Sequence, residues 1–221
     1  MGFISFPPIP IKIAGMEQVC IPRMVRIRQH FDATCIEDPK TILLTELEGK
    51  IEKQDLTGKR VAITVGSRGI PYLPEIVKTL IDWLKERGAS PFIVPAMGSH
   101  GNASAEGQTE IINSYGISEE TMGVPICSSM DVVQLGQLDD GTPVYCDRFA
   151  AEADGLVLLN KIKPHTDFKG SHESGLAKMM AIGLGNHVGA SMFHQMGMDT
   201  FPDRLPKVAE VFLEKLPVLF G

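Results

Sequence analysis

Residues 164–180 read PHTDFKGSHESGLAKMM. Two histidines, two lysines and three hydroxyl side chains share this stretch with glycines. Gly170 and Gly175 break a helix, and His165, Asp167, Lys169, His172 and Glu173 are too polar for a buried strand. Directly upstream runs the apolar GLVLLN, so a buried element delivers its chain into a loop of proton-transfer and metal-binding groups. Two other apolar runs end similarly. KRVAITV runs into Gly66-Ser67-Arg68-Gly69, and PFIVPAM runs into GSHGN, presenting His100. The third ending, NKIKPH, presents Lys161, Lys163 and His165. A neutral imidazole takes a proton near pH 7 and returns it. Two such bases on opposite sides of one carbon suit inversion of a stereocentre, and an arginine such as Arg68 clamps a carboxylate or phosphate. The set points to a racemase or epimerase of a small acid, and it fits hydrolytic or lyase chemistry as well.

These endings meet only if their strands are parallel. KRVAITV, then LPEIVKTLIDWLKERG with Ile76, Val77, Leu80, Ile81 and Leu84 at helical spacing, then PFIVPAM, form a βαβ unit. A second cycle follows: SAEGQTEIINSYG reads as a helix capped by Ser104, with Glu106 favouring its positive end. Strand candidates follow at 124–129, 143–150 and in GLVLLNKIK; helices are expected over 186–195 and 203–216. Upstream, PRMVRIRQHF alternates like an edge strand and KTILLTELEGKIE reads as helix. The fold class is α/β, a mostly parallel, Rossmann-like sheet with helices on both faces. In such sheets ligands bind beyond the carboxyl ends of the strands, where all three endings would lie.

Several residues have plainer readings. Gly66 and Gly98 serve tight strand-to-helix turns. His30 closes no buried strand and reads as incidental. Lys161 and Lys163 read as solvated charges outside the site, and the Met-rich tract at 179–198 as core filling. At 221 residues, 43% hydrophobic and with net charge −6, the chain can bury a core and lacks the basic face a nucleic-acid surface needs. Cys20, Cys35, Cys127 and Cys146 form no C-x-x-C pair, which argues against a zinc knuckle and fits reduced thiols in a cytoplasmic protein. MGFISFPPIPIKIAG resembles neither signal peptide nor anchor, and no apolar run is long enough to span a membrane.

GSHGNAS at 98–104, GTPVYCDRFAAEAD at 141–154, KPH at 163–165 and SGLAK followed sixteen residues beyond its lysine by His194 resemble the nickel-pincer lactate racemase family. The likeness covers residues 58–195 well and 20–57 loosely. It implies an isomerase of a small 2-hydroxy acid using a nickel-pincer nucleotide, a pyridinium-derived mononucleotide whose two sulfurs and one ring carbon hold nickel. By position, Lys178 would tether that cofactor, His194 would complete the nickel coordination, and His100 and His165 would be the paired acid/bases. Arg68, with Gly98 and Ser99 of the glycine turn, would help hold cofactor or substrate.

The sequence departs from the family's pattern. The His165–Lys178 segment is three residues longer and contains His172; Val65 stands where the family has an acid, and Gly101 where it has an arginine. Lys169 is a rival tether, and His172 or His187 rival ligands. Residues 1–221 read as the family's N-terminal α/β domain, with the second α/β domain absent, LPVLFG looking cut short, and a C-terminal domain or partner chain needed for activity. Two other functions compete: a metal-dependent hydrolase or lyase with His100, His165 and His172 as ligands, and a non-catalytic domain binding a small acid or nucleotide.

Overall fold

The computed structural model describes residues 15, 20, 23–31, 35–50, 55–67 and 69–221. The chain divides into two compact units, Met1–Ile36 and Glu37–Gly221. In the first, residues 23–31 have no regular secondary structure and are exposed, so the edge strand expected from PRMVRIRQHF is not there. Alternation supplies a face for a strand, but only a neighbour's hydrogen bonds make one.

The second unit runs α1 (Pro39–Lys50), β1 (Arg60–Val65), α2 (Leu73–Glu86), β2 (Ser90–Pro95), α3 (Ala105–Ser114), α4 (Glu119–Met122), β3 (Val132–Gln137), β4 (Pro143–Asp147), α5 (Arg148–Ala151), β5 (Gly155–Val157), α6 (Leu176–Lys178), α7 (Asn186–Gln195), α8 (Phe201–Lys215) and β6 (Val218–Phe220). A five-residue π-helical stretch, Met179–Gly183, separates α6 from α7. Among the described residues no helix is long and apolar enough to cross a membrane.

The main sheet has the order β2-β1-β5-β6, and every pairing is parallel. Side chains leave its two faces alternately. Val61, Ile63, Val65 and Ile93 pack with α1, α2 and α3 through Leu47, Leu80 and Ile112. Ala62, Phe92, Val94 and Leu156 enter a second core with Phe193 of α7 and Leu205 and Phe212 of α8. Burial on both faces is why these strands read as continuous apolar runs.

Three expectations about strands change. The 124–129 strand reduces to one parallel bridge, Ile93 to Ile126, on the outer side of β2. Of the strand expected at 143–150, only Pro143–Asp147 is strand, β4, which pairs antiparallel with β3 in a separate two-stranded sheet, and the chain turns helical at Arg148. GLVLLNKIK is strand only over Gly155–Val157; beyond it the Leu159 amide donates to Thr64 Oγ1 (3.0 Å), and the chain peels away from β1. Within the terminal apolar segment, Val218–Phe220 is β6, beside β5.

Phe201 sits where the second core meets the opening stretch. Its ring centroid lies 5.3 Å from Phe168, 5.4 Å from Phe193 and 5.7 Å from His194, and the residue is fully buried. Phe201→Ala leaves a cavity that this packed surrounding cannot refill, and urea unfolding should show a loss of about 3–5 kcal/mol.

Candidate active site

The carboxyl ends of β1, β2 and β5 lie on one edge of the sheet, so the three polar turns emerge together. Arg68 itself lies outside the described residues. The turn after β2 is built by backbone geometry. Gly98 has φ +63, and a Cβ there would come within 2.9 Å of the Ile182 carbonyl. The Gly98 amide donates to the Gly183 carbonyl (3.1 Å), and the buried Gln108 side chain donates to the Gly98 carbonyl (2.9 Å). Glycine is therefore required for this turn to reach the π-helical stretch that follows Lys178. Ser104 caps α3, its hydroxyl accepting from the Gly107 amide (3.1 Å) and donating to the Gly101 carbonyl (2.9 Å).

His100 and Ser99 are exposed and open into a cleft of about 590 Å³ with Ser67, Asn102, Ser114 and Tyr115. Ser67 Oγ is hydrogen-bonded to His100 Nδ1. The Tyr115 hydroxyl donates to the Ser67 carbonyl (2.5 Å), fixing the β1 turn from α3's end. Sequence reasoning passed over Ser67, Tyr115 and Gln108. Ser67 was visible as a turn residue beside Arg68, but its partner is 33 residues away, and nothing in the spacing joins them.

The opening stretch is a folded loop. Glu173 holds it, accepting from the His165 amide (2.8 Å) and the Gly170 amide (3.3 Å); the former keeps its carboxyl below the usual carboxylate range. Lys163 donates its amide to Ser174 Oγ (2.7 Å), and Asn160 donates its side-chain amide to the Gly175 carbonyl (2.8 Å). Phe168 carries the loop's apolar anchor into the core. The His165 ring stacks on it at 4.4 Å, with its side chain only 13% exposed. Burial, then the Lys178 charge, lowers the His165 pKa, opposed by Asp167. His165 and Lys178 thus share one electrostatic environment. His194 lies in the last turn of α7 at the other end of the ring series His165, Phe168, Phe201, His194.

The start of α7 is pinned by a buried pair. Asp147 Oδ2 accepts from Asn186 Nδ2 (2.8 Å), which also donates to the Ser129 carbonyl (3.0 Å), and Asn186 adopts φ 50. Burial pushes the Asp147 carboxyl up to about 6.

Other candidates lie apart. His100 opens into a cleft that His165 does not line. His172 is exposed and borders a separate, largely apolar groove of about 890 Å³ with Leu158, Ile162, Met180, Leu213 and Phe220. His187 is exposed at the first turn of α7. The Lys169 side chain is 81% exposed and lies 3.9 Å from Glu173, whereas Lys178 is partly buried at the end of α6. Among the described residues, no three His, Cys, Asp or Glu side chains gather to hold a metal ion, so the His100–His165–His172 ligand set is not assembled.

Residues 36–201 match the model of the lactate racemase N-terminal domain. The chain belongs to that family. No curated protein matches it. Among solved structures it is similar to the lactate racemase apoprotein from Thermoanaerobacterium thermosaccharolyticum, with 16% identity and a TM-score of 0.42 over 75% of this chain and 46% of that chain. This chain thus spans about half the length of that protein.

Two of its departures from the family pattern have local causes. Val65 is fully buried, so the position offers no polar environment for a carboxylate. Gly101 has φ +67, and a Cβ there would lie 2.5 Å from the backbone of Gly107, leaving no room for an arginine in this turn.

The His165 environment is testable. Lys178→Met removes the second cause of the lowered pKa, so an NMR titration of the His165 ring should move upward, toward about 6.5. Because the folded value lies below the unfolded one, the wild-type fold loses stability as pH falls from about 6.5 through the folded value, while above it this group has no effect.

Proposed function

We propose that this chain is the N-terminal part of a racemase or epimerase of a small 2-hydroxy acid. The observation that carries the reading is the backbone bond from Gly98 to Gly183, which sets the His100 turn against the stretch following Lys178, while His165 feels the Lys178 charge. Amine and two imidazoles at one sheet edge suit a substrate whose hydroxyl must lose and regain a proton. The family match supports the isomerase class.

The residues fit a nickel-pincer nucleotide. Such a group brings three of its metal's four donors, so it needs one imidazole and one amine from the protein rather than a cluster of ligands. What supports this reading is Lys178, partly buried at the end of α6, as the amine, and His194, exposed in the last turn of α7, as the imidazole. When bound, the group would accept and return the substrate's α-hydrogen as hydride. His100 and His165 exchange the hydroxyl proton, with Phe168 stacked on the His165 ring and Phe201 against His194, which is exposed. A second α/β domain, in the same polypeptide or a partner, would cover the cleft.

Two measurements check this. Intact mass of the complete protein, co-produced with cofactor-synthesis enzymes, should show an adduct that follows the tryptic peptide containing Lys178 and vanishes in Lys178→Ala; adduct-free protein that still racemises hydroxy acids would refute the cofactor assignment. In the loaded protein, His100→Ala and His165→Ala should each lower kcat about 10²–10⁴-fold with the adduct retained.

A further inference from the structure

The two imidazoles are held by unlike partners. His165 Nδ1 accepts a hydrogen bond from the Asp167 backbone amide (3.2 Å). An amide can only donate, so this bond requires a lone pair on Nδ1 and leaves the ring proton on Nε2. The Asp167 carboxylate would favour the opposite tautomer, but it stands 3.9 Å from Nδ1, beyond hydrogen-bond reach, and is more than half exposed. Stacking on Phe168 fixes the ring plane. The other charges around this ring are Lys178, Lys163 and Glu173; both lysines disfavour the imidazolium, and Glu173 favours it.

His100 differs. Its Nδ1 meets the Ser67 hydroxyl, which can donate to a bare nitrogen or accept from a protonated one. The Ser67 turn is itself held by the Tyr115 hydroxyl, so the partner does not drift.

We infer that Ser67 is a positioning residue whose hydroxyl lets the His100 ring take either tautomer, including the Nδ1–H form that leaves Nε2 bare, whereas the Asp167 amide holds His165 as the Nε2–H tautomer, so the two imidazoles enter the reaction as unlike partners. The catalytic assignment rests on the racemase reading; the tautomers do not. With substrate bound, His100 works from its Nδ1–H tautomer: Nδ1–H donates to Ser67 Oγ, which leaves Nε2 bare to take the hydroxyl proton. His165, by contrast, has only Nε2–H to present, as a hydrogen-bond donor. The return step gives the Nε2 proton back, and Nδ1–H donates to Ser67 before and after it. For His165 to start as the base, it must first break the Asp167 amide bond.

The test is long-range proton–nitrogen correlation NMR on the cofactor-free chain carrying ¹⁵N-labelled histidine, recorded where both rings are neutral. The six histidines are assigned by single His→Gln replacements. His165 should carry its proton on Nε2, and Asp167→Ala, which keeps the amide and removes the carboxylate, should leave it there. Ser67→Ala should change the tautomer ratio and titration of His100 alone, and Ser67→Thr should restore both. A proton on His165 Nδ1, or a shift of tautomer in Asp167→Ala, overturns the inference, as does a His100 signal identical in wild type and Ser67→Ala. If Ser67→Ala disturbs the whole spectrum, the wild-type, Ser67→Thr and Asp167→Ala spectra still decide. Because no cofactor is present, a missing Lys178 adduct would sink the racemase reading without touching this result.

Discussion

The turn after β2 and the π-helical stretch after Lys178 approach each other backbone to backbone, and the arrangement of the site follows from that approach. Gly98 cannot carry a Cβ because of the Ile182 carbonyl, and Gly183 cannot because of the Ala96 carbonyl, 2.7 Å away. Gly66 completes the set, with Met179 Cε at 3.3 Å from its would-be Cβ. A side chain at Gly98 or Gly183 would separate the layer bearing His100 from the helix bearing Lys178, whereas at Gly66 the flexible end of Met179 would have to shift by a few tenths of an ångström. The π geometry belongs to the same constraint: a widened turn shifts the carbonyls toward neighbours that an α-helical ladder would deny them. Gln108 then locks the assembly from below through the Gly98 carbonyl.

Around that junction, electrostatics and aromatic packing divide the work. Glu173 collects two amides of the loop and so orders it without any regular structure. Phe168 and Phe201 set His165 and His194 in place through ring contacts, which fix orientation without supplying charge. The Asp147–Asn186 pair holds the first residue of α7 in a left-handed conformation, so the direction of that helix, and with it His194, depends on a buried hydrogen bond.

Much of this was legible in the amino-acid order. The βαβ unit, the Ser104 cap and the amphipathic helix near the end are local patterns, and each forms where its periodicity or capping places it. Parallel pairing of β1 and β2 followed from their helical connection, and the structure adds β5 in parallel, which brings the three turns to one edge. What failed depended on distant neighbours. Residues 23–31 alternate correctly yet form no strand, while Val218–Phe220, too short to show a period, becomes one because β5 offers an open side. The hairpin of β3 and β4 hid for a similar reason: its shifted register near Gly136 blurs the alternation. In the site, His100 and His165 stood out by type and position, but their hydrogen-bond partners did not, since Ser67 and the Asp167 amide declare themselves only in three dimensions.

The central position of β1 has a kinetic corollary. Its neighbours are β2, about thirty residues downstream, and β5, whose junction is sealed where the Arg60 amide reaches Asp154 across 94 residues of chain. Closing so long a loop is slow compared with forming the β1–α2–β2 unit. During synthesis that unit can assemble early on the ribosome, but one flank of β1 stays open, an apolar ribbon with unsatisfied amides, until the β5 segment has emerged. The interval between those events is when this chain has most to gain from a chaperone.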